Sequence, residues 1–600
     1  MAASSSTSRF PKAIDRWFWW LLAGLVGLAA LVRLWRLAEF PSGLHQDEAW
    51  FAYNAFLLLK RGTNIYGEYW PLTVDMWGDY VSAVHSYMIV PFIALFGVST
   101  WAFRLTFVFF SLSSMAIACY FMWQLSKNKQ LVLGTAALFA LSVWNIVMTR
   151  ASSTVIIDTV ALLLTSVVFF KTVEWGSRVL NWGQREKILY AVGLATSYAL
   201  SIGAYFTYFT SRLLIPPFLI ALLVYAWWGK KFNKVAIAAA IAVILAYMVF
   251  PFGVMLKTPY ALGRYQETAI LNSNTVKSNQ FQNITRAGQS GLPVLVTRML
   301  YNKVAVNAQA FMRQYMGLLS PSVLLFQTAP PKRYDVPNAG AVSYVEYAGF
   351  IAAIGIVLVG GPKHRYFKLS VLLLFLIAVA ALPSALTEDD YPNMQRAVIM
   401  TPFLQMAAAI GLLATLEQLW GKFSSLAKPK QMGVYVALLL LLSAPTFGSY
   451  LFGYYAQMKY SWPHFRSRAG EELAIWINQN AHDEPILMEH VEGNFFYPYL
   501  FNQEDMLNYP IEKSGKYFLT ANKFSIGNRT FVRDLCASSE IQRTDYTYLI
   551  MYDLHEKCRY TDNMVQVFAA NYDDGDQGFG VYRRKTAAEL GVMDKIEAGL

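Results

Sequence analysis

Charge is scarce in this chain. Only 15% of its 600 residues are Asp, Glu, Lys or Arg, where soluble proteins carry about 25%. With 56% hydrophobic residues and 17 Trp beside that deficit, a large soluble enzyme is excluded and a polytopic membrane protein is expected. Zinc-finger spacing, a Walker loop and a basic helix are all missing. The net charge of +12 is therefore not read as a nucleic-acid footprint, and no nucleic-acid partner is expected. No obvious internal repeat occurs, which disfavours inverted-repeat transporter folds. Cysteine is limited to Cys119, inside an apolar run, and Cys536 and Cys558, both in the polar C-terminal region. That last pair is open to two readings, a disulfide or two free thiols, depending on which compartment the region faces.

What is present is a series of long apolar runs. They lie at 17–35, 105–125, 131–149, 154–172, 188–207, 213–228, 235–254, 344–361, 369–386, 397–416 and 432–452. Each approaches the about 20 residues that cross a bilayer, giving about eleven spans. A further run, "AVHSYMIVPFIALFG" at 83–97, is short and contains His85 and Pro91. Treating it as interfacial puts the basic loops at 126–129, 171–187, 229–234, 361–368 and 421–430 on the same side as Lys12 and Arg16, as the positive-inside rule requires. The start, "MAASSSTSRFPKAIDRW", lacks a small-residue cleavage pattern and reads as a tail before an uncleaved anchor.

This topology gives a cytoplasmic tail at 1–16, a transmembrane domain at 17–454 and an extracytoplasmic domain at 455–600. Within the transmembrane part, a first outer loop covers 37–103 and a long one covers 255–343. The long loop, "TPYALGRYQETAILNSNTVKSNQ" in part, is polar with little strand or helix pattern and is expected to be a lid or a flexible segment. The tail reads as a small α/β domain. "RSRAGEELAIWINQN" has helical periodicity, and "PILMEH", "TYLIMY", "MVQVFAA" and "GFGVYRR" read as strands. On the outer face, a Cys536–Cys558 disulfide becomes the favoured reading. Asn283-Ile-Thr and Asn528-Arg-Thr would matter only in a host that glycosylates such sites.

The chemistry-bearing stretch is "GLHQDEAWFAYNA" at 43–55. It sets Asp47 and Glu48 about ten residues beyond the first span. One explanation is that Asp47 caps a helix over 49–62 that stops at Gly62, with Glu48 complementing the dipole. The other is catalytic, and it needs cationic partners. Arg104, Arg150, Asp158, Arg212, Arg264 and Arg396 lie at or just beyond span ends. Any one arginine there could simply snorkel. Several converging on one outward cavity would form a phosphate site.

Four stretches carry a family resemblance. They are "RLWRLAEFPSGLHQDEAWFAYNA", "GDYVSAVHSYMIVPFIALFGVSTWAFRL", "SVWNIVMTRASSTVIID" and "LPSALTEDDYPNMQRAVIMTPFLQMAAAIGL". In order along the chain they resemble the first outer loop, interfacial helix, second outer loop and late arginine-bearing loop of GT-C glycosyltransferases. Within that group the chain resembles bacterial relatives of protein O-mannosyltransferases and of the lipid A aminoarabinose transferase. The resemblance covers roughly 15–255 and 340–460. It is thin over 255–340 and absent in detail over the tail. One departure is "GDYVSAVH", where the aminoarabinose transferase has a lysine.

The resemblance implies a polyprenyl-phosphate-linked sugar as donor and an acceptor hydroxyl on a protein, glycan or lipid. The implied location is a plasma membrane, with the site on the extracytoplasmic side. Asp47 would be the general base of an inverting displacement, with Glu48 positioning it, binding an acceptor or assisting a cation. Arg264 and Arg396, then Arg150 and Arg212, would stabilise the leaving phosphate. His45, His85 and Asp158 would contact substrate. No cofactor is implied as required. Asp47, Glu48, Asp75, Asp79 and Asp158 offer oxygens that suit magnesium or manganese, with Asp47 and Asp158 the foremost metal candidates. His45 has no second His at ligand spacing, which argues against zinc. Two rivals make different demands. A transporter needs charges in mid-span, and a non-catalytic scaffold that presents the tail needs nothing of Asp47.

Overall fold

The computed structural model describes residues 13–76, 79–179, 182–230, 233–257, 268–327, 331–421, 425–461, 463–466, 468–481, 483–489, 522–552, 563–586 and 588–590. In chain order the helices begin with α1 (Ala13–Leu34), α2 (Gln46–Arg61), α3 (Val84–Phe96) and α4 (Thr100–Ser126). They continue with α5 (Lys129–Ala140), α6 (Val143–Arg150), α7 (Val155–Arg178), α8 (Gln184–Tyr205), α9 (Phe209–Trp227) and α10 (Lys234–Lys257). Next come α11 (Asn274–Gln289), α12 (Val294–Leu300), α13 (Lys303–Leu318) and α14 (Pro321–Phe326). The last of those used below are α15 (Tyr344–Gly355), α16 (Phe367–Ala380), α17 (Thr401–Leu419), α18 (Lys428–Phe452) and α19 (Arg468–Asn480).

Every expected span falls on a helix. By length and composition, eight helices among the described residues can cross a bilayer, or nine if the bent pair α5 and α6 is one span. The helices at 234–250 and 344–360 are apolar but shorter. The chain is a multi-pass membrane protein. The α5–α6 bend of 52° has a local cause. The Ser142 side chain accepts from the Asn145 amide, so a new helix is capped where the old one stops.

The chain divides into two compact units. The first comprises 1–35 and 107–453, and the second comprises 36–106 and 454–600. Among the eight long candidate spans of the described residues, the one over Met394–Leu419, which contains α17, is the most enclosed, with 89% of its apolar window buried. α17 meets α15 through glycine. A Cβ added to Gly411 would sit 2.0 Å from the Gly349 carbonyl oxygen, so only a missing side chain allows the two backbones this approach.

The loop at 255–343 departs from the expectation of a segment with little structure, because α11 to α14 fill it over the described 268–327. Three of these four helices start on a side-chain cap. Ser273 accepts from the Val276 amide, Asn302 from Ala305 and Ser320 from Val323. These short polar signals are what the reading of the loop by its polarity passed over. Residues 255–267, which include Arg264, carry no described side chains.

The second unit joins residues 36–106 to the tail. Its sheet runs in the order β4-β5-β3-β6-β8-β7, built from β3 (Ile486–Glu489), β4 (Lys523–Ile526), β5 (Arg529–Val532), β6 (Tyr548–Tyr552), β7 (Met564–Asn571) and β8 (Gln577–Arg584). β3 pairs in parallel with β5 and β6, and the remaining pairs are antiparallel. A small hairpin of β1 (Thr73–Met76) and β2 (Asp79–Ser82) precedes α3. α19 buries Ala469, Gly470, Leu473, Ala474 and Ile477, a stripe at helical spacing, and packs on β7 and β8. Leu487, Val532, Leu535, Leu549 and Tyr582 form a core, with Cys536 against it. Cys536 is disulfide-bonded, and its expected partner Cys558 lies outside the described residues.

Candidate active site

The pair Asp47–Glu48 opens α2 in the second unit. His45, not Asp47, is the N-cap. Its Nδ1 accepts the Asp47 backbone N–H at 3.1 Å, and the Glu48 carboxylate accepts the His45 backbone N–H at 2.9 Å. This is a reciprocal capping box with histidine in the usual Ser/Thr place. The helix ends at Gly62, whose φ of 69° is left-handed. Because Nδ1 is an acceptor here, the imidazole carries its proton on Nε2. The 3.7 Å approach of Asp47 Oδ1 to the same nitrogen is then not an ion pair.

The two acids face different environments. The Asp47 side chain is 27% exposed and that of Glu48 only 4%. Glu48 Oε2 accepts from Arg466 Nη1 at 3.0 Å, and Oε1 lies 3.5 Å from Arg104 Nε. Arg104 is fully buried. Its terminal nitrogens donate to the carbonyls of Leu37, Pro41 and Gly43 at 3.1, 2.9 and 2.7 Å. The chain entering α2 is therefore fixed by one arginine, and the helix's first turn by another. Glu471 on α19 completes the cluster. Burial pushes its carboxyl above the usual range, against the pull of Arg104 and Arg468.

His85 lies on α3, edge-on to Phe51 with ring centroids 5.2 Å apart. It is buried, and burial pushes its pKa down to about 3, so the ring is neutral. The neighbouring Ser86 hydroxyl donates to the Phe51 carbonyl at 3.1 Å, tying α3 to α2.

The other expected residues belong to the first unit. Arg150 is fully buried, and its Nη1 donates to the Val32 and Arg33 carbonyls at 3.2 and 2.9 Å, at the end of α1. Arg396 is buried, forks onto both oxygens of Asp389 at 2.5 Å and lies over the Phe209 ring. Arg212 is half-buried. Its Nε donates to the Tyr205 carbonyl at 3.3 Å, and its guanidinium lies 4.5 Å from the Tyr205 ring centre. Among the described residues its terminal nitrogens have no hydrogen-bond partner. Asp158 accepts three hydroxyls, from Thr207, Thr210 and Ser211, each at 2.5 Å. Arg264 lies outside the described residues.

A divalent cation finds little room at Asp158, whose two oxygens already take those three donors. The side chains of Asp75 and Asp79 lie outside the described residues. A set the sequence reading did not propose, His464, Asp574 and Asp576, is exposed with its ligand atoms within 4.8 Å of one another. Arg466, Glu471 and Arg333 were also missed. Arg333 donates to Gln395, beside Arg396, at 3.0 Å. Nothing in the sequence links Arg466 to Glu48, 418 residues away.

The fold is GT-C. ArnT from Cupriavidus metallidurans in the apo state superposes with a TM-score of 0.50 at 12% identity, over 95% of this chain and 98% of that one. The same protein bound to undecaprenyl phosphate gives 0.49 at 12% identity over the same shares. The oligosaccharyltransferase of Archaeoglobus fulgidus in the apo form gives 0.49 at 10%, over 89% of this chain and 69% of that one. Likeness at these identities defines the fold alone. No protein-family model matches the chain, and no curated protein does.

Proposed function

We propose that this protein is a membrane glycosyltransferase. It moves a mannose-type hexose or a pentose from a polyprenyl-phosphate donor to an acceptor hydroxyl on a protein, glycan or lipid. The observation that carries the reading is the division of labour in the acid pair: Glu48 is held inward by two arginines, while Asp47 opens the same helix without being its cap and is partly exposed. ArnT, whose fold this chain shares, has been solved with undecaprenyl phosphate, which supports the donor class.

In this reaction the acceptor oxygen attacks the anomeric carbon as its proton passes to Asp47. The bond from that carbon to the phosphate oxygen breaks, and configuration inverts. The polyprenyl phosphate is already a good leaving group, so the base is the group the protein must supply. Charge developing on the phosphate calls for a cation. For that role the sequence offers Arg264, Arg396, Arg150 and Arg212; among the described residues, the terminal nitrogens of Arg212 have no hydrogen-bond partner. Arg396 would have to exchange Asp389 for phosphate, and Arg150 its backbone carbonyls. Arg264 remains a candidate on sequence grounds. The catalytic face is assigned to the extracytoplasmic side of a plasma membrane, from the loop charges. No metal is assigned to the chemistry.

The test compares Asp47→Asn with wild type at equal membrane levels in the native host, scoring surface glycans and the pool of polyprenyl-phosphate sugars. Loss of one glycan with build-up of its lipid donor is expected. Unchanged glycans with folded, abundant Asp47→Asn protein would overturn the reading.

A further inference from the structure

The tail contributes a charged group to the turn that carries Asp47. Arg466 Nη1 donates to Glu48 Oε2, the oxygen that also receives the His45 backbone N–H. One carboxylate oxygen thus joins the start of α2 to the C-terminal region. Arg466 is held in turn by its own backbone. Its amide donates to the Pro463 carbonyl at 3.2 Å, and its carbonyl accepts from Arg468, where α19 begins. A second contact between the same two stretches lies nearby in sequence, where the Phe40 ring meets Tyr455 with centroids 5.0 Å apart.

The energetics favour a fixed geometry over a loose one. Glu48, Arg104 and Arg466 are all nearly removed from solvent. Charges at such depth persist only when paired and hydrogen-bonded. A carboxylate bonded at once to a backbone amide and a guanidinium has little freedom to rotate. Asp47 is the residue before Glu48 on the same turn, so its backbone direction is set with that of Glu48. Misplacement by about 1 Å at a reacting group lowers rates on the order of 100-fold.

We propose that Arg466 is a positioning residue for transfer, acting through Glu48 on Asp47. The tail is then part of the catalytic apparatus and not only a surface for choosing acceptors. This rests on the glycosyltransferase reading above. It goes beyond that reading by giving the C-terminal region a role in rate.

The experiment uses the full chain in proteoliposomes with native-host membranes as acceptor. Undecaprenyl-phosphate mannose and undecaprenyl-phosphate arabinose serve as the hexose and pentose probes. Wild type, Asp47→Asn, Glu48→Gln, Arg466→Met, Arg466→Lys and the double variant Glu48→Gln/Arg466→Met are compared, with rates expressed per folded molecule. Arg466→Met is expected to lower kcat at least tenfold, with the donor KM within twofold of wild type. Arg466→Lys should restore a third or more of the lost rate. The double variant should be no slower than the slower of Glu48→Gln and Arg466→Met alone, because both break one contact.

A fall in melting temperature with kcat unchanged would make Arg466 merely structural and overturn the proposal. A raised KM at unchanged kcat would make it a substrate contact and also overturn it. If Asp47→Asn abolishes transfer while Arg466→Met does not slow it, the positioning role fails and the enzyme reading stands. If wild type turns over neither probe, or Asp47→Asn is as active as wild type, the enzyme reading fails and the positioning role falls with it.

Discussion

His45 Nδ1 accepts the Asp47 backbone N–H, with the two nitrogens 3.1 Å apart, so an imidazole does the work that the sequence suggested for a carboxylate. Removing a cap costs roughly 1 kcal/mol. His45→Ala should lower the stability of the folded chain by about that amount, and His45→Asn should recover most of it. Melting of the purified protein in detergent reads both. Equal melting of His45→Ala and wild type would mean that the ring does not cap α2.

Asp47 and Glu48 should separate cleanly on mutation. Asp47→Asn is expected to leave melting nearly unchanged while transfer falls 100-fold or more, since the carboxylate is partly exposed and His45 is the cap of α2. Glu48→Ala leaves Arg104 and Arg466 buried without their shared partner and should cost roughly 3 kcal/mol. If the two variants melt alike, the inward and outward assignment of the acids is wrong.

His85 gives the fold a pH dependence. Its folded pKa of about 3 lies below the ordinary 6.5. The unfolded chain therefore binds a proton below pH 6.5 that the folded chain refuses. Stability from this group is complete above that value and is lost progressively as pH falls toward 3. Between pH 7.5 and pH 5 the loss amounts to about 2 kcal/mol. His85→Phe keeps a ring against Phe51 and should flatten that part of the stability profile. An unflattened profile would show that His85 is not buried neutral.

At the α15–α17 contact, Gly411→Val should be far worse than an ordinary overpacking change of about 1–3 kcal/mol, because the obstructing atom is a backbone oxygen 2.0 Å away. The expected outcome is loss of monodisperse protein on extraction. Gly27 on α1 has nothing near its missing side chain, so Gly27→Ala is the matched control and should extract normally.

Arg212→Gln should raise the donor KM about tenfold, the scale of one charge-assisted contact, while leaving melting unchanged. Arg150→Gln should do the opposite, because the buried guanidinium closes carbonyls at the end of α1. Measuring donor KM and melting for both variants separates an anion-binding arginine from a structural one.

Much of the architecture could be read from the chain because lipid imposes a coarse rule: about 20 apolar residues per crossing, with basic loops alternating. The strands at 486–489, 548–552, 564–571 and 577–584 were visible as short apolar runs. Lys523–Ile526 and Arg529–Val532 were not, because they are four residues each and rich in polar side chains. The helices of the long outer loop were missed because their capping residues are also ordinary loop residues. The acid pair stood out by its place after the first span. Its partner Arg466 did not, because a contact 418 residues long leaves no local pattern.

The union of 36–106 with 454–600 in one compact unit has a consequence for biogenesis. Glu48 leaves the ribosome 418 residues ahead of Arg466. At about 5–20 residues per second, that interval is roughly 20–80 s. Until then Glu48 and Arg104 must wait, two opposite charges without the third. A chain cut short anywhere in the membrane-spanning region would insert its helices yet never close this triad. Only chains that extend past Arg466 would fix the start of α2 with all three charges, so the geometry of that turn depends on synthesis reaching the tail.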